Sequence, residues 1–289
     1  MTKNHAIFTI LSGSVFMSFV GVLLRLLEAA NGFQVLFYRS FGLALIVFIF
    51  ICFRRNITPK KAILSLDWSD FLIGLNLAIA FSMYVFAMFN SSVSSTLFIL
   101  SITPFLAAVL GWLFLNERLM IGTYFSIFLA TLGVVIMVYD GVTFQRSIGN
   151  FYAFISGISF ALAILFARLS KKKDVLGGTF LGGIFCIFFG FIACLFSVSS
   201  FSISFNDFLI LIFMGSFTIG IGIMLVTLGT PYVPTSEVCL LVLLESVLGS
   251  IWPWVFISEK MSPLEVLGAS IIILAIILFS FASRISKTS

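Results

Sequence analysis

The chain has 289 residues, of which 61% are hydrophobic and only 9% are charged, and its mean hydropathy is +1.23. Soluble domains carry about 25% charged residues, so this composition excludes a cytosolic enzyme and indicates a membrane protein. The formal net charge of +5 comes from Lys and Arg in short breaks between apolar runs, which favours a role in topology over nucleic-acid binding.

Apolar runs long enough to cross a bilayer follow one another along the whole chain, since a helix of about 20 apolar residues spans the hydrocarbon core. The first run ends at Glu28 and not at a small-residue cleavage site, so we expect it to be retained as a span. Ten spans are predicted, numbered in chain order: 6–27, 33–53, 71–90, 93–115, 119–139, 149–167, 176–197, 208–228, 233–256 and 266–283.

The Lys and Arg residues predict the orientation of these spans, because excess positive charge stays on the cytoplasmic side. Arg25 and Arg39 lie inside spans, and the outer segments hold only Arg146 and Lys260. With a cytoplasmic N-terminus, the cytoplasmic segments hold twelve: Lys3, Arg54, Arg55, Lys60, Lys61, Arg118, Arg168, Lys171, Lys172, Lys173, Arg284 and Lys287. We therefore expect both termini on the cytoplasmic side of the inner membrane.

Residues 112–119 (WLFLNERL) and 254–261 (WVFISEKM) form an internal repeat with an offset of 142 residues. The first copy follows span 4 and the second follows span 9, at opposite membrane faces. The sequence therefore predicts an all-α membrane protein of ten transmembrane helices in two inverted five-helix repeats, 1–141 and 142–289. Inverted repeats are typical of secondary transporters, whose substrate site lies between the halves near the midplane.

The repeated segments cover residues 103–118 and 245–260. The first begins with Thr-Pro and ends with Glu-Arg, and the second begins with Glu-Ser and ends with Glu-Lys. In these segments the chain resembles the EamA-like ten-span branch of the drug/metabolite transporter superfamily. That family often has Glu-Pro where this chain has Glu245-Ser246. The resemblance implies that spans 1 to 4 and 6 to 9 surround a central cavity, that spans 5 and 10 are peripheral, and that the substrate is exported.

Two charged residues inside the spans are candidates for substrate binding. Glu245 lies about 18 Å from the inner end of span 9, near the midplane, and cannot reach water without a cavity. Arg39 lies roughly 9 Å below the outer end of span 2, within snorkelling reach. We expect the pair to bind opposite ends of a zwitterionic or polar substrate. The alternatives are a protonated or hydrogen-bonded structural Glu245 and a structural Arg39.

Uncharged side chains extend the predicted site. Asn76 and Tyr84 are eight residues apart and share one face of span 3, and Thr103 lies in span 4. The alternative for each of these side chains is a hydrogen bond to the preceding turn of its own helix. Trp252 is a candidate for an aromatic cage that binds an amine. The alternative is that its ring only packs near the membrane interface. Pro104, in the middle of span 4, is predicted to kink its helix and free a backbone carbonyl, and the two alternatives are that it acts as a hinge or that the freed carbonyl binds substrate.

Several classes of function are disfavoured because the sequence lacks their motifs. The sequence has no GxxxxGK[ST] phosphate loop and one histidine, His5, which argues against a nucleotide-driven pump, a Ser-His dyad and a multi-histidine metal site. The function predicted is a secondary transporter, not an enzyme, that moves a small polar organic metabolite such as an amino acid or amine by alternating access. The alternatives are a membrane-embedded enzyme acting on a lipid-linked substrate and a non-transporting helical subunit.

Several expectations about partners accompany this function. The substrate is a small molecule, and a proton or a counter-substrate is the candidate coupling partner. The protein contacts the lipid bilayer, needs no cofactor or metal, binds no nucleic acid and is a monomer or homodimer.

Overall fold

The computed structural model describes residues 1–91, 93–117, 121–139, 147–196, 201–257 and 262–285. Within these ranges the chain is helical and has no strand. Among the described residues, eight helices are long and apolar enough to cross a membrane, and two shorter apolar helices cover Ile121–Met137 and Pro263–Phe279. The predicted all-α membrane fold is confirmed.

The helices follow the predicted spans, with breaks inside some of them. Their bounds are Lys3–Met17 and Val20–Arg25 for span 1, Gly32–Arg55 for span 2, Trp68–Asn90 for span 3, Val93–Leu100 and Thr103–Leu115 for span 4, Ile121–Val138 for span 5, Ser147–Leu169 for span 6, Leu176–Phe196 for span 7, Phe205–Tyr232 for span 8, Thr235–Val242 and Leu244–Ile257 for span 9, and Pro263–Ile285 for span 10. A short helix that the sequence analysis did not predict, Pro59–Leu64, lies between spans 2 and 3.

Local sequence sets several of these helix ends. Span 2 begins with a capping box, in which the Asn31 side chain accepts from the Gln34 backbone N–H and the Gln34 side chain accepts from the Asn31 N–H. The span ends at Asn56, whose φ of 47° places it in the left-handed region that stops a helix.

Spans 4 and 9 are broken at equivalent positions of the repeat. The first half of span 4 ends at Leu100 and the first half of span 9 ends at Val242, which lies 142 residues later (242 minus 100). Pro104 occupies the first turn of the second half of span 4, where its missing N–H costs no hydrogen bond. Span 9 breaks at the same place without a proline.

Span 8 contains a π-helical segment, Met214–Ile221, that the sequence does not predict. Gly215 in this segment packs directly against the backbone carbonyl of Arg39 in span 2, where any side chain would collide. Segments of π-helix are uncommon and are frequent at functional sites. The segment therefore fixes how closely span 8 approaches the arginine.

Helix packing has the two-fold symmetry expected of the repeat. Span 1 packs on span 8, and the equivalent helices of the other repeat, spans 6 and 3, pack in the same way. Equivalent helices also pack on each other, in the pairs 2 and 7, 4 and 9, and 5 and 10. Each repeat has an odd number of spans, so equivalent helices run in opposite directions and the repeats are inverted. Spans 5 and 10 pack mainly on one another, with Gly133 against the carbonyl of Gly268. The predicted boundary between residues 141 and 142 lies outside the described residues.

Side-chain contacts define two faces of the bundle. At the face where span 1 begins, Lys3 pairs with Glu237 at the start of span 9, and Arg55 at the end of span 2 pairs with Asp174 before span 7. We call this the N-terminal face. At the opposite face, Ser91 at the end of span 3 donates to Asn150 at the start of span 6.

Candidate functional site

A cavity of about 790 Å³ lies between the two repeats. Helices of both repeats line it, and it extends from the middle of the bundle to the connection between spans 1 and 2 at the opposite face. Met88, Met137 and Glu265 lie near the opposite-face ends of their helices and line its mouth. Its volume is in the range of sites for small organic ligands.

The wall of this cavity includes four of the side chains predicted from the sequence. Arg39 of span 2, Tyr84 of span 3, Thr103 of span 4 and Glu245 of span 9 all line it. Residues that are far apart in sequence are thus brought together from both repeats. A guanidinium, a carboxylate and two hydroxyls face one space.

Arg39 is 4% exposed, and its guanidinium donates one hydrogen bond, 3.3 Å long, to the Phe81 carbonyl. A guanidinium has five N–H donors, so its hydrogen-bonding capacity exceeds this contact. Arg39 and Glu245 attract one another across the cavity, but the ion pairs of the described residues do not join them. Two opposite charges therefore line one cavity without forming an ion pair.

Thr103 and Glu245 occupy the same position of the repeat, since they are 142 residues apart (245 minus 103); Thr103 is the first residue and Glu245 the second residue of the second half of its broken span. The Thr103 hydroxyl lies against Gly157 of span 6, where an added Cβ would be 2.8 Å from it. The symmetry of the fold thus places a neutral hydroxyl in one half and a carboxylate in the other. The site itself is asymmetric in charge.

Two of the predicted site residues lie outside the cavity wall. The Asn76 amide donates to the Leu72 carbonyl of its own helix, at 2.9 Å. The Trp252 indole donates to the Ser18 hydroxyl at 2.7 Å and stacks on Phe19, with ring centroids 4.5 Å apart. Because Ser18 lines the cavity, Trp252 supports the wall from behind.

The mouth of the cavity carries further charged side chains. Arg25, Glu28 and Glu265 line it. The Glu28 carboxylate accepts from the Asn206 amide at 3.0 Å, and the Glu265 carboxylate accepts from the Ser262 N–H at 2.7 Å. Glu265 precedes the predicted start of span 10, so its sequence position does not connect it with the site.

Apolar side chains form most of the cavity wall, and the sequence analysis did not identify them. A hydrophobic residue that faces a cavity has the same sequence pattern as one that faces lipid, so only the packing of the helices separates the two. The wall includes Met17, Leu24, Phe81, Phe89, Leu97 and Phe160. In the part of the chain that the structure describes, no group of three or more His, Cys, Asp or Glu is arranged to hold a metal ion.

In the part of the chain that the structure describes, eight membrane-length apolar helices and two shorter ones form a bundle with a cavity inside it, which defines a polytopic membrane protein. A sequence profile of the EamA-like transporter family matches residues 4–139 and again residues 147–281. The chain belongs to the EamA-like transporter family, within the drug/metabolite transporter superfamily. The family predicted from the repeated segments is confirmed.

The fold also has counterparts among solved proteins. One crystal structure matches with a TM-score of 0.83 over 98% of this chain and 99% of that chain, at 15% sequence identity. In all, 29 solved chains match this chain. At this identity the likeness shows the fold alone. A comparison with curated proteins found no match.

Proposed function

We propose that this protein is a secondary transporter that moves a small amine-containing metabolite, such as an amino acid, across the cytoplasmic membrane by alternating access. The observation that carries the proposal is that Arg39 and Glu245 line one cavity between two inverted repeats without pairing with each other. Transporters built from inverted repeats bind their substrates at such a place.

Each of the four predicted side chains that line the cavity has a role in this proposal. Arg39 binds a carboxylate through its planar fork of N–H donors. Glu245 binds the substrate ammonium or a coupling proton. Tyr84 and Thr103 hydrogen-bond to the polar part of the substrate. Charged side chains are costly inside a membrane, so two of them facing one cavity favour a functional role over a purely structural one.

The orientation belongs to the proposal as well. The distribution of Lys and Arg favours a cytoplasmic N-terminal face. The cavity mouth then faces outward, and the family resemblance favours export. Reporter fusions at Lys172, on the N-terminal face, and at Ser147, at the start of span 6, test this. A periplasmic signal from the Lys172 fusion would overturn the orientation.

Ligand binding to purified protein tests the substrate class. A panel of amino acids, their decarboxylated amines and their deaminated acids is screened by shifts in thermal stability. We expect binding that requires both charged groups of an amino acid, with Arg39→Gln weakening it through the carboxylate and Glu245→Gln through the ammonium.

Asn76→Ala is the matched control, since Asn76 is polar and lies in the same helix as Tyr84 but outside the cavity. It should bind as the wild type does. Equal binding by wild type, Arg39→Gln and Glu245→Gln would place the substrate elsewhere and overturn the assignment.

A further inference from the structure

A cluster of buried polar contacts joins four spans at the N-terminal face. At the end of span 4, Glu117 pairs through Oε1 with Nε of Arg168 at the end of span 6, at 2.6 Å. Its other oxygen, Oε2, accepts from the backbone N–H of Thr235, the first residue of span 9, at 2.9 Å. One carboxylate therefore connects spans 4, 6 and 9.

Arg168 reaches the same point of span 9 by a second route. Its Nη1 donates to the carbonyl of Val233, at 2.6 Å, just before the span begins. The side chains of Arg168 and Glu117 are 20% and 10% exposed. A carboxylate at the N-terminus of a helix is also favoured by the helix dipole. The start of span 9 is thus held by both members of a largely buried ion pair.

A second ion pair adds span 1 to the cluster. Lys3, the first residue of the span 1 helix, pairs with Glu237 of span 9 at 2.8 Å, and Glu237 is 5% exposed. Two residues further along span 9, Cys239 lines the cavity. The contacts therefore lie between the cavity and the N-terminal face. Spans 1, 4, 6 and 9, which they join, all contribute to the cavity wall.

We propose that Glu117, Arg168, Lys3 and Glu237, with the start of span 9, form a gate that closes the cavity toward the N-terminal face. The inference rests on the proposed function, in which the cavity opens to each face in turn. The structure has the gate closed while the cavity extends to the opposite face. Opening toward the N-terminal face then requires span 9 to separate from Glu117 and Arg168.

The gate can be weakened by two independent routes. Glu117→Gln and Arg168→Gln each leave one buried charge without its partner, which is strongly unfavourable in the closed state. Gly111→Ala changes no charge. A Cβ at Gly111 would lie 2.6 Å from Oε2 of Glu117, so the carboxylate must shift from its position beside the Thr235 N–H.

Labelling of Cys239 measures gate opening without any need for transport. The other cysteines, Cys52, Cys186 and Cys194, are replaced by Ala, and membrane-impermeant maleimide is applied to the N-terminal face in oriented vesicles. We expect slow labelling with the gate intact and labelling about tenfold faster in Glu117→Gln, Arg168→Gln and Gly111→Ala, as for a minor state raised from 1% to 10%.

Asp174→Asn is the control, because it breaks an ion pair with Arg55 at the same face without touching span 9. Its labelling rate should change less than about twofold, as for a surface pair. Variants are compared after size-exclusion chromatography shows a single folded species, and Gly111→Ala serves where a charge variant does not fold. Unchanged labelling in the folded gate variants would contradict the proposal that these contacts form a gate. Faster labelling in a protein that binds and transports none of the tested substrates would support the gate and contradict the proposed function.

Discussion

Asp70 and Asp207 occupy equivalent positions in the two repeats, each as the third residue after the N-cap of its helix, in spans 3 and 8. Asp70 pairs with Lys172 in the connection before span 7, at 2.8 Å. Asp207 accepts the backbone N–H groups of residues 28, 29 and 30, in the connection before span 2, at 2.8, 3.2 and 3.1 Å. The same structural role is thus filled by a side-chain partner at one face and by backbone partners at the other.

Replacing Asp207 by Ala should destabilise the protein. Three backbone N–H groups lose their acceptor, and hydrogen bonds to a charged group contribute about 2 kcal/mol each. We expect the apparent unfolding temperature in detergent to fall by several degrees. Asn206→Ala, which removes only the hydrogen bond to the Glu28 side chain, should have a much smaller effect. Equal unfolding temperatures for Asp207→Ala and wild type would contradict this role.

The contact between Lys172 and Asp67 should make stability sensitive to acid. The hydrogen bond from Lys172, 2.7 Å long, lowers the pKa of Asp67. A carboxyl group whose pKa is lowered by folding stabilises the folded state above its unfolded pKa, and this contribution is lost as the pH falls through the folded pKa. Lys172→Met should therefore reduce the loss of thermal stability between pH 6 and roughly pH 3. An identical pH profile in the variant would show that the contact does not contribute.

Much of the fold could be predicted because span length, repeat offset and family resemblance point to the same architecture. The breaks within the helices were harder to predict. Pro104 signals the break in span 4, but span 9 breaks at Leu243 with no proline, and span 1 breaks near Ser18. In these two spans, packing between helices overrides a sequence that is compatible with a continuous helix.

The candidate site was only partly visible in the sequence. Arg39 and Glu245 stood out because charge is rare in apolar spans, and the cavity contains both. Asn76 has the same polar signal, yet its amide bonds its own helix. The partnership of Glu117 with Arg168 was missed, since it depends on how spans 4, 6 and 9 meet. Asp70 and Asp207 follow Asp67 and Ser204 at capping-box spacing, a signal that could have found them.

Pro104→Ala should slow transport more than it weakens substrate binding. The helix of span 4 is interrupted at Ser101 and Ile102, and an alanine at 104 supplies an N–H that favours a continuous helix through the break. If the two halves of span 4 move against each other, we expect substrate affinity within about twofold of wild type and a several-fold lower turnover. Pro59→Ala, at the first turn of the short helix Pro59–Leu64, is the control. Equal turnover in wild type and Pro104→Ala would leave the proline as a static distortion.

Glu245→Gln should distinguish substrate binding from proton coupling in the cavity. The substitution keeps the shape of the side chain and removes its charge opposite Arg39. If the carboxylate binds the substrate ammonium, the variant should lose affinity at every pH, since a charge-assisted hydrogen bond has become a neutral one.

If Glu245 instead carries a coupling proton, exchange of substrate across the membrane should survive while accumulation driven by a pH gradient fails, because the variant has no proton to exchange at this site. Reconstituted vesicles measure both, with counterflow for exchange and uptake with and without an imposed pH gradient for coupling. Loss of counterflow together with binding assigns the carboxylate to the substrate. Loss of gradient-driven uptake alone assigns it to the proton. Wild-type behaviour in both assays would make Glu245 structural and remove the main reason to place the substrate between Arg39 and span 9.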